Sequence, residues 1–299
     1  MFYSSWMSCI KDDVKITQLA IPGAHNAGTK GMVHMGCCQL GTVLEQFEYG
    51  VREFGIRVKQ KHGEAYIAHG LSRGVKVEKV FADFEKILEK YPDEFFIIDI
   101  RSYQDQKVGP FTLKYHCAPE IINELIEKYL RPADYAFTGF EHIKDVTLAD
   151  IRNSGKRYLI HHEDEEYIYS RNTYLLEPWD AKLFGLKPEK FWQENLNYLR
   201  NLESEGFFWF QTQQTPNPGT EIGFTWPNKL DELDRPFFPL MMKEIAQNPE
   251  MLAKINIVAG DFMTRDHMKE NEILRFNLLK GFVKPEFEEY YAKTIGDTV

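Results

Sequence analysis

Extended apolar runs alternate with helix-period patterns along all 299 residues, which predicts an α/β fold built on a parallel sheet. About six or more such units in a chain of 299 residues fit a single TIM-type (β/α) barrel, for which ~250 residues plus insertions is typical. The rival is an open doubly wound sheet. No Gly-x-Gly-x-x-Gly follows the first strand, so a nucleotide-binding version of that rival has little support.

The elements follow in order. Residues 16–21 read as a strand ending at Pro22-Gly23, and residues 51–58 as a second. Residues 65–68 form a third after a Lys61-His62-Gly63-Glu64 turn. Val80, Phe81, Phe84, Ile87 and Leu88 are spaced for a helix over residues 77–91, which Pro92-Asp93 breaks. Residues 95–100 are nearly continuous in apolar side chains, as a strand buried on both faces should be. Helices are then expected at 119–130, around 150–152, at 187–203, within 231–247 and at 272–282, with strands at 156–160, 207–211 and 255–259. Neither an internal repeat nor a Pro/Gly/Ser-rich linker interrupts the chain, so residues 1–299 are expected to form one barrel.

Composition excludes several function classes. With 43% hydrophobic residues the chain is globular, not disordered. The net charge of -9 argues against a non-specific nucleic-acid binder, which needs many Lys and Arg contacts to phosphates. It argues equally against membrane binding through bulk positive charge. No run approaches a bilayer span and no signal peptide is visible, so location stays open between the cytoplasm and export by another route. Cys9, Cys37, Cys38 and Cys117 lack Cys-x-x-Cys spacing and are expected to be free thiols. The adjacent pair Cys37-Cys38 is the one to inspect.

In a barrel of this type, chemistry sits at the C-terminal ends of the strands. The polar residues there are His25-Asn26, Arg57, His69, Arg101, His161-His162, Gln211-Thr212 and Asp261. Two histidines, several arginines and a late aspartate would then converge on one rim.

These same residues carry a family resemblance. Trp6-x4-Lys11 followed by Ile16-Thr-Gln-Leu-Ala-Ile-Pro-Gly-Ala-His25-Asn26-Ala-Gly-Thr29 resembles the opening of the phosphatidylinositol-specific phospholipase C X domain, whose pattern is Pro-Gly-Thr-His-(Asp/Asn)-Ser-Gly-Thr. Gln46 with Gly50-Val-Arg52-Glu-Phe-Gly-Ile-Arg57 resembles its second-strand segment. Ala68-His69-Gly70 resembles its later His-Gly, and Pro92-x-Glu94-Phe-Phe-Ile-Ile its next strand. The likeness is strongest from Trp6 to Arg101 and weaker down to Val258-Ala-Gly-Asp261-Phe.

The resemblance implies a distorted TIM barrel that cleaves phosphatidylinositol or a related inositol phospholipid in two acid–base steps. The inositol 2-hydroxyl would attack the neighbouring phosphorus, giving diacylglycerol and inositol 1,2-cyclic phosphate. His25 would be the general base and His69 the general acid, Asp261 would orient His25, and Arg57 would stabilise the phosphorane. Arg101, His162, Glu177 and Trp179 would contact the substrate. No cofactor is implied, and the protein is expected to be a monomer. Apolar rim residues would touch the membrane transiently: Met32, Val33, Met35, Phe224, Trp226, Phe237 and Phe238.

Departures from the pattern bear on metal use and turnover. Calcium-dependent members need carboxylates at the positions of Gly55, Arg57 and Arg101, and this chain has a glycine and two cations there. A metal-independent site with Arg57 in place of the ion is therefore expected. Asn26 cannot ionise as the Asp of many bacterial members does. Together with Gly55 it leaves a second reading open: a relative without turnover that binds an inositol phosphate or lipid head group. A barrel phosphodiesterase for another glycerophosphodiester ranks last, because that superfamily usually needs a metal-binding Glu-x-Asp and none follows an expected strand. The structural alternatives are that Arg57 pairs with a barrel carboxylate, that Asp261 caps a helix before Met263-Thr264, and that Phe207-Phe208-Trp209-Phe210 is barrel core.

Overall fold

A computed structural model describes residues 2–32, 36–70, 72–108, 110–113, 115–164, 166–170, 188–213 and 235–296. Its strands are β1 (Ile21–Ala24), β2 (Glu53–Lys61), β3 (Glu64–His69), β4 (Ser72–Lys76), β5 (Phe96–Ser102), β6 (Gln106–Val108), β7 (Phe111–Leu113), β8 (Tyr158–His162), β9 (Trp209–Gln211) and β10 (Ile257–Gly260). Six of them run parallel in the order β9–β10–β1–β2–β5–β8. The upper half of β2 also turns away to pair antiparallel with β3, and β3 pairs with β4. The result is a distorted TIM-type α/β barrel, as the sequence predicts. Among the described residues no ladder joins β8 to β9.

Strand alternation splits the apolar residues into two sets. Phe54, Ile56, Val58, Phe96, Ile98, Ile100 and Ile160 pack against the amphipathic helices Val77–Lys90 and Pro119–Leu130. Ile21, Ile97, Leu159, Trp209, Ile257 and Ala259 form the other set with the N-terminal residues Trp6, Ile10, Ile16 and Leu19. The inward face must also hold larger groups, and glycine makes the space. A Cβ on Gly23 would stand 2.6 Å from a Glu53 carboxylate oxygen, and one on Gly55 would stand 2.7 Å from the Trp209 ring.

The first strand departs from the expectation. Residues 16–19 form a turn, and β1 runs through Pro22-Gly23 where an end was expected. The reason is the Asn256 side chain, which donates to the carbonyls of Ile16 and Leu19 at 3.2 and 2.6 Å and so replaces strand partners. Pro22 fits inside β1 because its carbonyl accepts from Arg52 N–H at 2.9 Å. The Lys61-to-Glu64 turn is as expected, with His62 and Gly63 both at positive φ, the geometry of a tight β2–β3 hairpin. β4 was not foreseen, because Ser72-Arg-Gly-Val-Lys76 has no apolar alternation.

The N-terminal end of the barrel is closed by Trp6, whose indole N–H donates to Gly50 O at 2.9 Å, and by a buried ion pair. Arg52 donates to Glu94 at 2.7 and 2.9 Å, and to the carbonyls of Phe47 and Val51 at 2.9 Å. Both side chains of the pair are almost wholly shielded from water. Replacing Arg52 by Met is expected to cost ~3–5 kcal/mol, because Glu94 would keep an uncompensated buried charge. Urea unfolding checks this.

Candidate active site

His25 follows β1 directly and Asp261 follows β10, and these strands are hydrogen-bonded neighbours. The two side chains meet with His25 Nδ1 at 2.7 Å from Asp261 Oδ1. This contact fixes Nδ1–H as donor and leaves the Nε2 lone pair facing away from the carboxylate. Asp261 thus holds the His25 ring through Nδ1, and the residues after it form a turn and not a helix. Both flanking residues hold a left-handed backbone, Asn26 at φ 49 and Phe262 at φ 57. Asn accepts that conformation readily, whereas for Phe it is strain held by the surroundings.

Those surroundings are polar contacts that sequence reasoning did not single out. Gln39 is fully buried and its amide N–H groups donate to His25 O and Gly260 O, each at 2.9 Å. Its Oε1 accepts from Met263 N–H at 3.0 Å. Thr29 Oγ1 accepts from Cys38 and Gln39 N–H at 3.0 and 3.1 Å and donates to Asn26 O at 2.7 Å. Phe262 N–H donates to Cys38 O at 2.8 Å. The 36–39 segment thus clamps the ends of β1 and β10 together. Gln39→Leu would orphan the His25 carbonyl and the buried Met263 N–H, while Gly260 O keeps His25 N–H at 3.2 Å, so a stability loss of ~1–3 kcal/mol per orphaned group is expected from thermal unfolding.

His69 ends β3. Its ring lies edge-on to His25, with centroids 6.1 Å apart at 89°. Gly70, at φ 54, turns the chain immediately afterwards. Gly70 N–H donates to the Tyr103 hydroxyl at 2.9 Å, and its carbonyl accepts from Lys59. Asn26 Nδ2 lies 2.8 Å from His25 Nε2 and 3.5 Å from Cys38 Sγ, and that sulfur lies 3.6 Å from His69 Nδ1. Cys38 is the centre of this group, although the sequence marked it only as half of a pair to inspect. Burial pushes its thiol well up, so it rests as neutral S–H.

A cationic group sits on β2, β5 and β8. Arg57 and Arg101 flank Asp99 at 3.2 and 3.0 Å, and His161 Nδ1 approaches the same carboxylate at 2.9 Å. Asp99 has no solvent exposure. Burial alone would raise its pKa, but the His161 hydrogen bond and the two guanidiniums outweigh that and hold it well below the usual carboxylate range. Arg57 does pair with a barrel carboxylate, and the Arg57 and Arg101 guanidiniums share it. The Trp209 ring supports both, at 5.5 and 5.4 Å from their central carbons. Trp209 is core, as expected, and it fills the space beside Gly55 where the family pattern has an acidic side chain. Gly55→Ala would force the ring aside at ~1–3 kcal/mol, read as a lower melting temperature and altered tryptophan fluorescence.

Several expectations need correction. His162 was expected in the substrate pocket, but alternation along β8 sends His161 inward to Asp99 and His162 to the other face, near Tyr167. Burial pushes the His162 pKa down to about 4, and its Nδ1 accepts Asp164 N–H at 2.9 Å, so it is a neutral packed residue. Met32 and Phe238, expected on a membrane-facing rim, are buried, and Phe237 is half-buried. Glu177, Trp179, Val33, Met35, Phe224 and Trp226 lie outside the described residues. All four cysteines are free and buried.

The fold and site define an α/β barrel with a histidine–aspartate pair, a facing histidine and a cationic group at the strand ends. Its fold is similar to that of the phosphatidylinositol-specific phospholipase C of Listeria monocytogenes, at TM-score 0.63 and 17% identity over 92% of this chain and 98% of that one. A mutant of the Staphylococcus aureus enzyme of the same name gives 0.62 and 17%, over 87% and 90%. A further S. aureus structure, described as concerning modulation of membrane binding, gives 0.61 and 17%, over 87% and 91%. No protein-family model matches the chain, and no curated protein does.

Proposed function

We propose that this protein is a phosphodiesterase that cleaves phosphatidylinositol or a related inositol phospholipid, releasing diacylglycerol and inositol 1,2-cyclic phosphate. The observation that carries the reading is the His25–Asp261 contact at 2.7 Å with the His69 ring beside it. His25 Nε2 takes the proton of the inositol 2-hydroxyl, and the freed oxygen attacks the adjacent phosphorus. Asp261 holds the Nδ1–H tautomer and stabilises the imidazolium that forms. Arg57, with Arg101, balances the phosphorane charge, since guanidinium forks match phosphate oxygens. His69 protonates the departing diacylglycerol oxygen. The nucleophile belongs to the substrate, so no serine or cysteine nucleophile is needed.

Substrate contacts by Glu177 and Trp179, and apolar membrane contact through Val33, Met35, Phe224 and Trp226, are part of the same proposal. So are a monomeric state and turnover without a metal ion. The decisive assay is cyclic phosphate release from phosphatidylinositol vesicles in the presence of EDTA. Activity only with added Ca²⁺, or activity that survives His25→Ala, refutes the mechanism. One observation favours a second reading: Asn26 Nδ2, 2.8 Å from His25 Nε2, occupies the lone pair that the base must use. A protein that binds inositol phosphate without turning over any inositol phosphodiester would be that head-group-binding relative.

A further inference from the structure

The group around Cys38 has a chemistry that phosphodiester cleavage does not use. Donor atoms of His25, Cys38 and Asp261 all lie within 4.8 Å of one another, and His69 Nδ1 lies 3.6 Å from the Cys38 sulfur. Ligand atoms of a tetrahedral Zn²⁺ site stand roughly 3.5 Å apart, given bonds of ~2.0–2.3 Å. The His25–Asp261 contact must open from 2.7 Å toward that spacing, the wider pairs of the group close slightly, and His69 turns in from its 3.6 Å contact with the sulfur as the fourth ligand.

We infer that His25, Cys38, Asp261 and His69 form an inhibitory binding site for a borderline-soft divalent cation, Zn²⁺ above all. The donor set decides the class of metal. Two imidazoles, a thiolate and one carboxylate suit Zn²⁺ and its spectroscopic stand-in Co²⁺, whereas Ca²⁺ and Mg²⁺ require mostly oxygen ligands. Coordination replaces the Cys38 S–H bond with an S–metal bond, and the proton leaves to solvent. Access is from the rim, where the side chains of His25 and Asp261 keep 18% and 9% exposure. Asn26 stands between His25 and Cys38 and must swing its amide aside. Its Oδ1 has no hydrogen-bond partner among the described residues, so the movement gives up only the Nδ2 contacts to His25 and Cys38 that the ion itself replaces.

The consequence for catalysis rests on the phosphodiesterase reading. A bound ion would take up the nitrogens that accept and donate protons, so cleavage stops until a chelator removes the metal. The binding claim is independent of that reading, and its test is spectroscopic. Chelator-stripped protein is titrated with Co²⁺. The expected result is one equivalent bound, with a thiolate-to-cobalt charge-transfer band and tetrahedral visible bands, both displaced by Zn²⁺ and not by Ca²⁺. Cys38→Ser should abolish the charge-transfer band, and Cys37→Ser and Cys117→Ser should keep it. His69→Gln should weaken Co²⁺ binding at least ~10-fold. Circular dichroism of each variant confirms folding, so a lost band reports a lost ligand. Absence of the charge-transfer band in the unmodified protein, or its persistence in folded Cys38→Ser, overturns the site. A cobalt band in a protein that never releases cyclic phosphate leaves the site standing and removes the enzymatic reading. Cleavage unaffected by saturating Zn²⁺ removes the inhibitory role.

Discussion

His25→Ala is expected to lower cyclic phosphate release by ~10²–10⁴-fold, and His69→Ala by a similar factor. The two losses should not multiply in the double variant, because in the proposed mechanism base and acid serve one proton-transfer sequence. Asp261→Asn is the more discriminating change. The carboxylate accepts from Nδ1–H at 2.7 Å. An amide can instead present its NH₂ to Nδ1, which favours the tautomer with hydrogen on Nε2 and removes the lone pair that takes the substrate proton. A loss approaching ~10⁴-fold in kcat with the fold intact is therefore expected. Steady-state assays on phosphatidylinositol vesicles read all three. Full activity in Asp261→Asn would mean that His25 does not act as the base.

The second large effect concerns Asp99. It is enclosed by Arg57, Arg101 and His161, with no solvent contact. Asp99→Asn leaves two guanidiniums facing each other across a neutral amide. A stability loss of ~3–5 kcal/mol in urea unfolding at neutral pH is expected. The pH dependence has a definite sign. Asp99 titrates below its unfolded value of ~3.9, so its contribution is fully present above that value and fades as pH falls through the lower folded one. The difference in stability between native protein and Asp99→Asn should stay flat from neutral pH to ~4 and narrow below it. A gap that closes at higher pH would mean that Asp99 is not held by the two guanidiniums.

The motif residues His25, His69 and Asp261 were legible in the chain because each sits at a strand end that its own neighbours announce, whereas Arg57 lies inside β2 and was legible only through its motif. Asp99 carries a signal of its own, a lone charge inside the apolar run Phe96-Ile-Ile-Asp-Ile100. Gln39 carries none and Cys38 only its adjacency to Cys37, because their partners are Asn26, His69, His25 and Gly260, which lie elsewhere in the chain. The adjacent histidines show the limit most plainly. Both lie at a strand end, and only the pairing of Asp99 with His161 tells which one faces inward. A shift of one residue in register would exchange them.

The sequence by itself determined the α/β class, the alternation of the main parallel strands with helices and the strand-end histidines, because periods of two and 3.6 residues are local properties. Tertiary structure alone decided which side chains meet. His25 and Asp261 are 236 residues apart and touch because β1 pairs with β10. The same closure brings Gln39 across both strand ends and sets Trp209 beneath two guanidiniums over Gly55. Such contacts depend on sheet register and on the volume that glycines leave open, and neither is encoded within any one segment of chain.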